Sequence, residues 1–259
     1  MHTHVEAAGY SLSVRWWPED AASAVDQPTL ILLHEGLGSI SLWRDFPAQL
    51  AAATGCRVLT YARPGYGQSA PHQAPRTPRY MHDEALLVLP ALLETLAIER
   101  PILVGHSDGG SIGLIFAGAF PVRLRAMVAI APHEWVEEEA LAGIRLAGEA
   151  WQNSDWPERL ARHHADADKV FRDWHDTWLS PAFRDWNILD YVDLIRCPLL
   201  ALQGDKDEYA TMRQIDTLAE RVPGCRAQVL ADCGHSPHRE QPTATVAAIA
   251  DFVRQLPAD

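Results

Sequence analysis

Short apolar runs, each followed by a stretch with helical spacing, constrain this chain more than anything else in its sequence. The runs are TLILLH (29–34), RVLTYA (57–62), PILVGH (101–106), RAMVAIAP (125–132), PLLALQG (198–204) and AQVLAD (227–232). Helical apolar spacing covers 42–54, 80–96, 109–120, about 210–222 and 243–256, and Pro90 is expected to bend the second of these. The runs are near-continuous rather than alternating. Strands read that way when helices cover both faces of their sheet. The expected fold class is therefore α/β, a doubly wound, mostly parallel sheet. Residues 3–17 or so are expected to add an antiparallel edge hairpin. No fixed-period repeat and no low-complexity tract interrupts the pattern.

One segment breaks the rhythm. From about 133 to 190 no strand candidate appears, and six of the nine tryptophans fall there: Trp135, Trp151, Trp156, Trp174, Trp178 and Trp186. This segment reads as a helical insertion between two strands, with APH (131–133) and RCP (196–198) as its hinges. The expected division is a core part over 1–132, a helical cap over 133–195 and a second core part over 196–259. Some of these tryptophans pack the insertion onto the sheet. Others are candidates to face a ligand, because pockets are mostly apolar and aromatic. Trp135 and Trp178, with His133 just past a strand end, are the candidate lining residues.

Charge narrows the function classes. The chain carries 22 Lys and Arg against 34 Asp and Glu, a formal net charge of −12. A phosphate-backbone binder needs a basic face, so nucleic acid is not expected as a partner. The four cysteines, Cys56, Cys197, Cys225 and Cys233, form no C-x-x-C pair, so a zinc or redox motif is unsupported. The start, MHTHVEAAGYSLSVRWW, lacks a basic stretch followed by an apolar one, so no signal peptide is expected. No apolar run reaches the roughly 18 residues of a membrane helix. The expectation is a cytoplasmic protein with a small-molecule substrate, no membrane partner and an open oligomeric state.

The chemistry starts at GHSDG (105–109), a G-x-S-x-G pattern with a strand run before it and a helical stretch after it. A sharp strand-to-helix turn holds such a serine in a strained conformation. Side chains two before and two after would crowd it, hence the glycines. A serine hydroxyl is a poor nucleophile at neutral pH. It needs a base, and the base needs an orienting group. Two loops after later strand runs carry such groups. LLALQGDKDEYAT (199–211) holds Asp207, with Asp205 and Glu208 as rivals, and VLADCGHSPHREQP (229–242) holds His235.

LLHEGLGS (32–39), RPGYGQS (63–69), GHSDGG (105–110), GDKD (204–207) and the GH of CGHSPH (233–238) together resemble the α/β-hydrolase superfamily over essentially the whole chain. The resemblance implies the fold, an inserted helical lid, and a triad of Ser107 as nucleophile, His235 as base and Asp207 as acid. It implies two oxyanion donors, the backbone N–H groups of Asp108 and Gly36. Relatives often show H-G-x-P-G where this chain has H-E-G-L-G (34–38), so Glu35 stands in place of a glycine and Leu37 in place of a proline. Glu35 and Asp108 either flank the pocket with two carboxylates or turn aside to cap backbone donors. Asp108, at a helix start, suits capping. His106 is expected to support the turn from behind. His238, three residues from His235, is weak zinc evidence without a third ligand. HHADAD (163–168) is expected on a solvated helix face.

The implied function is a serine hydrolase needing no metal or organic cofactor, acting on a carboxylic ester or thioester of a small, largely apolar acid. A lactonase, a carbon–carbon hydrolase of ring-cleavage products and a cofactor-free haloperoxidase-like enzyme use the same triad. Haloalkane dehalogenases and epoxide hydrolases need an acid where this chain has serine. The prolyl aminopeptidase-like branch usually shows H-G-G-P-G and a tryptophan beside the serine, both absent here. A ligand sensor on a hydrolase fold is the alternative from another class.

Overall fold

The structure, a computed structural model, describes residues 3–19, 28–72 and 75–257. The apolar runs become strands β3 (Thr29–Leu33), β4 (Arg57–Tyr61), β5 (Ile102–His106), β6 (Ala126–Ile130), β7 (Leu199–Gly204) and β8 (Arg226–Leu230). Ahead of them, β1 (Thr3–Ala7) and β2 (Tyr10–Trp17) form the antiparallel hairpin, and β2 joins β4 antiparallel. The remaining pairs are parallel, in the order β1-β2-β4-β3-β5-β6-β7-β8. From β3 the chain moves outward to β4, then returns to place β5 on the other side of β3. In open α/β sheets, ligands bind beyond the carboxyl ends of the strands at such a switch point.

The helices are α1 (Phe46–Thr54), α2 (Tyr80–Asp83), α3 (Leu89–Thr95), α4 (Asp108–Ala119), α5 (Glu138–Asn153), α6 (Trp156–Ala161), α7 (Ala167–Leu179), α8 (Leu189–Val192), α9 (Arg213–Arg221), α10 (Pro237–Glu240) and α11 (Pro242–Arg254). Successive strand residues point to opposite faces. Leu30, Leu32, Val104 and Val128 pack with Phe46 and Leu50 of α1 and Ile249 and Phe252 of α11. Ile31, Leu33, Leu103 and Met127 pack with Leu92 and Leu93 of α3 and Ile112 and Phe116 of α4. Both faces are thus covered, which is why the runs are apolar without alternation. Between β6 and β7 lie α5 to α8, with an isolated bridge from Trp135 to Asn187. All four cysteines are free. No described helix is long and apolar enough to cross a membrane.

The stretch from Tyr80 to Thr95 does not bend simply at Pro90. A wider π turn, Glu84–Val88, separates α2 from α3 just before the proline. Proline has no N–H to donate and its ring crowds the preceding turn, and a widened turn relieves that crowding. The π turn also buries Glu84, whose Oε1 accepts the Tyr61 hydroxyl at 2.6 Å. Burial pushes the Glu84 carboxyl up to about 7 from its ordinary 4.5, against the pull of Tyr61, Arg63 and Arg76. A raised carboxyl supports the fold fully below pH 4.5 and loses that support as pH rises through 7. Glu84→Gln, neutral throughout, is therefore expected to gain stability over the parent between pH 5 and pH 8, by roughly 2.5 kcal/mol. Urea denaturation at the two pH values checks this, and an equal difference at both would refute it.

Candidate active site

Ser107 follows the last residue of β5 and precedes α4. Its backbone sits at φ 53°, ψ −119°, a left-handed conformation rare outside glycine. The two glycines flanking it permit this turn. A Cβ on Gly105 would lie 2.1 Å from the Gly109 carbonyl oxygen, and one on Gly109 would lie 2.0 Å from that of Leu33. Only glycine lets β3, β5 and α4 approach this closely. The turn pushes the Ser107 hydroxyl out at the carboxyl ends of the strands.

His235 and Asp207 arrive on the loops after β8 and β7. His235 Nε2 is 3.0 Å from Ser107 Oγ, and His235 Nδ1 is 2.8 Å from Asp207 Oδ1. The carboxylate accepts the Nδ1 proton, which leaves the Nε2 lone pair facing the serine hydroxyl. Asp207 Oδ1 also accepts the Tyr209 N–H at 2.9 Å. Burial opposes charge on both groups, but their mutual attraction prevails. Asp207 is held below its ordinary range and His235 is raised above its own. The rivals sit elsewhere: Asp205 Oδ1 accepts the Cys233 N–H, and Glu208 Oε2 accepts the His235 backbone N–H at 3.1 Å. His106 donates from Nε2 to the His235 carbonyl at 2.8 Å, tying the turn to the histidine loop.

The loop after β3 has a fixed peptide at its centre. The Glu35 carbonyl accepts from Arg63 Nη2 at 2.7 Å, from the Gly38 N–H at 3.0 Å and from His34 Nδ1 at 2.8 Å. A trans peptide points its N–H opposite its carbonyl, so these donors aim the Gly36 N–H away from them. Neither the Gly36 nor the Asp108 N–H donates to another described residue. Gly36 lines the cavity beside Ser107, and a Cβ there would lie 2.4 Å from the Trp174 ring.

A cavity of about 250 Å³ opens above Ser107 and His235. Its apolar wall is Leu37 and Leu42 from the core, Ala140 and Ile144 of α5, Trp156 and Leu160 of α6, and Trp174 and Trp178 of α7. Polar groups are Glu35, Glu208, Tyr209, Ser236 and Arg239. Of the expected lining residues, Glu35, His133 and Trp178 are present. Burial pushes the His133 imidazole down to about 4, with His235 adding to the effect, so it is neutral at pH 7. Trp135 is not on the cavity. Its backbone bridges Asn187, and its ring lies beneath the Arg213 guanidinium of α9. The sequence gives no pointer to Tyr209 and Arg239, and it does not separate Trp156 and Trp174 from the other tryptophans of the insertion. The one available signal was the four-residue spacing of Trp174 and Trp178, which puts both on one helix face.

Two further expectations, for Asp108 and for the HHADAD segment, are corrected. Asp108 caps no backbone donor. Its Oδ2 accepts the Tyr80 hydroxyl at 2.8 Å and lies 3.5 Å from Arg63 Nη1, because a buried guanidinium needs an anion beside it. Glu35 does face the cavity, paired to Arg239 at 3.2 Å. Burial favours its neutral form, but His106, Arg239 and His238 hold it well below the usual carboxylate range. His164 is buried rather than solvated. Its Nδ1 accepts the Gly67 N–H and its Nε2 donates to the Leu37 carbonyl, both at 3.0 Å, so it pins the segment between α6 and α7 to core loops. The neighbouring His163 Nδ1 meets Ser41 Oγ at 2.8 Å. His238 packs its ring against Trp43, Phe46 and His106. Among the described residues, no group of three or more His, Cys, Asp or Glu is placed to hold a metal ion.

A switch-point serine on a strand-to-helix turn, with a histidine and an aspartate from later strand loops, defines a hydrolase-type α/β sheet. The sequence pattern of the alpha/beta hydrolase family matches residues 30–249, and the chain belongs to that family. Among curated relatives it is similar to the serine hydrolase BPHL of Mus musculus, 27% identical over 81% of this chain and 73% of that one. It is also similar to a proline iminopeptidase of Lactobacillus helveticus, 24% identical over 89% of this chain and 91% of that one. Among solved structures, the enol-lactonase of Burkholderia xenovorans LB400 shares the fold with a TM-score of 0.73 and 23% identity, covering 98% of this chain and all of that one.

Proposed function

We propose that the protein is a serine hydrolase that cleaves carboxylic esters or thioesters of small, largely apolar acids. The observation that carries this reading is the unbroken chain from Ser107 Oγ through His235 to Asp207 at the floor of an apolar, aromatic cavity. In this reading Ser107 attacks the acyl carbon as His235 Nε2 takes its proton. Asp207 holds the imidazole in the required tautomer and stabilises the imidazolium that forms. The Gly36 and Asp108 N–H groups receive the oxyanion, and the start of α4 favours negative charge there. His235 then protonates the leaving group and activates the water that releases the acid. Helices α5 to α7 act as a cap whose indoles receive the acyl chain.

Two features support an apolar substrate. Among the described residues, three tryptophans and five aliphatic side chains form the wall. Arg239, the one arginine among the described lining residues, is already engaged by Glu35 and the Leu42 carbonyl. A strongly anionic acid therefore finds no free Lys or Arg among the described lining residues and meets Glu35 and Glu208 instead. The test is steady-state hydrolysis of p-nitrophenyl esters of increasing acyl length, beside labelling with a serine-directed fluorophosphonate. Multiple turnovers and one label per chain, on Ser107, are expected. A single turnover that stalls as an acyl-enzyme would instead indicate a ligand sensor, and absence of both turnover and label would overturn the reading.

A further inference from the structure

The side chain next to the nucleophile is built into a hydrogen-bonded strut that reaches the wall of the cavity. Trp178 Nε1 donates to the Tyr80 hydroxyl at 3.0 Å, and that hydroxyl donates to Asp108 Oδ2 at 2.8 Å. An indole N–H only donates and an ionised carboxylate only accepts, so the phenol between them has one arrangement that satisfies all three. Burial, reinforced by Asp108, holds the Tyr80 hydroxyl well above its ordinary value, so it keeps the proton it donates. Tyr80, Asp108 and Trp178 are all buried. In such a setting an unmade hydrogen bond costs more than in water.

The strut joins three places far apart in sequence: α2, the first residue of α4, and α7. Its outer end, Trp178, lines the cavity and packs on Phe183, Trp186 and His133. The indoles of Trp43 and Trp186 are also buried, yet among the described residues their Nε1 atoms have no hydrogen-bond partner. Trp178 is different: its ring is held through its only polar atom by Tyr80, a residue outside the cavity lining, while the Trp178 side chain itself belongs to that lining. The inner end, Asp108, is braced by Arg63, which also holds the Glu35 carbonyl.

We propose that Tyr80 is a positioning residue that sets acyl-chain selectivity, by fixing Trp178 against the Asp108 carboxylate beside the nucleophile. The catalytic consequence rests on the reading of Ser107 as an ester-cleaving nucleophile. The strut itself does not. Asp108 then has two separable tasks: its N–H faces the reacting carbonyl, and its side chain holds the wall that the acyl group meets.

Tyr80→Phe keeps the ring and removes both bonds. The selectivity profile across p-nitrophenyl esters is expected to flatten. The ratio of kcat/KM for the preferred acyl length to that for acetate should fall about five-fold, the scale of one lost buried hydrogen bond. The change should be carried by KM, with kcat falling by a smaller factor. Trp178→Phe, which removes the other donor, should flatten the profile in the same way. Independently, the Trp178 indole N–H resonance, assigned by its loss in Trp178→Phe, should move upfield in Tyr80→Phe and exchange faster with solvent. An unchanged resonance and exchange rate would show that no strut exists. A shifted resonance with an unchanged selectivity profile would overturn the selectivity role. If the parent protein turns over no ester at all, the Ser107 reading fails while the resonance still decides the strut.

Discussion

Ser107→Ala is expected to lower kcat for a p-nitrophenyl ester by a factor on the order of 10⁴ to 10⁶. The substitution removes one oxygen and leaves the rest of the site standing. Ser107 Oγ has His235 Nε2 as its one hydrogen-bond partner among the described residues, so its loss unpairs only that ring nitrogen, on a residue that lines the cavity. Alanine tolerates φ 53° about as well as serine, because the cost of that backbone comes from the Cβ that both residues carry. The turn, its glycines and the two unpaired N–H groups should persist, and with them a residual advantage over water from oxyanion binding. The variant should therefore fold, with a thermal midpoint near that of the parent, and still bind the acid product. Titration of the parent with a fluorophosphonate counts its competent sites and excludes contaminating esterase. If the alanine variant retains more than about a tenth of the rate, Ser107 is not the nucleophile.

Much of this arrangement is legible in the sequence because its causes are local. A strand covered on both faces writes itself as an unbroken apolar run, so the parallel strands stand out. The turn at 105–109 writes itself as glycine, since the Gly109 position leaves 2.0 Å between a Cβ and the Leu33 carbonyl. Other features have causes that are distant in the chain. Nothing near Asp108 announces Tyr80, which is 28 residues earlier. A carboxylate at a helix start reads as a cap until that partner is known. His164 reads as one of a polar cluster, yet its two bonds reach Leu37 and Gly67, 127 and 97 residues earlier. Trp135 and Trp174 are chemically identical, and only the packing of α7 against the Gly36 loop separates wall from scaffold. Sequence points to Ser107, His235 and Asp207, which the structure brings within hydrogen-bonding distance, because backbone geometry dictates the turn and loops that carry them. It locates the pocket wall poorly because side-chain packing dictates that.

Asp207→Asn tests the innermost link, and two expected changes distinguish its outcome from simple damage. The first is a fall in kcat of about 10⁴, the scale seen when the orienting carboxylate of a triad becomes an amide. An asparagine can present its NH₂ to His235 Nδ1, which places the imidazole proton on Nε2 and leaves no lone pair facing Ser107. The second concerns pH. The base must be neutral to accept the serine proton, so kcat/KM falls as pH drops through the pKa of His235. In the parent, Asp207 outweighs burial and raises that value above the ordinary imidazole range, near 6.5. The acid limb of the parent should therefore lie above 6.5. Without the carboxylate, burial is left as the larger influence, and it lowers the value. The limb of the residual activity should move to lower pH, which a kcat/KM profile from pH 5 to pH 9 reads directly. A structural defect alone would lower the rate without moving the limb. If the rate stays within ten-fold of the parent and the limb stays in place, another carboxylate orients the histidine. Glu208 is then the first to examine, since its Oε2 already holds the His235 backbone N–H.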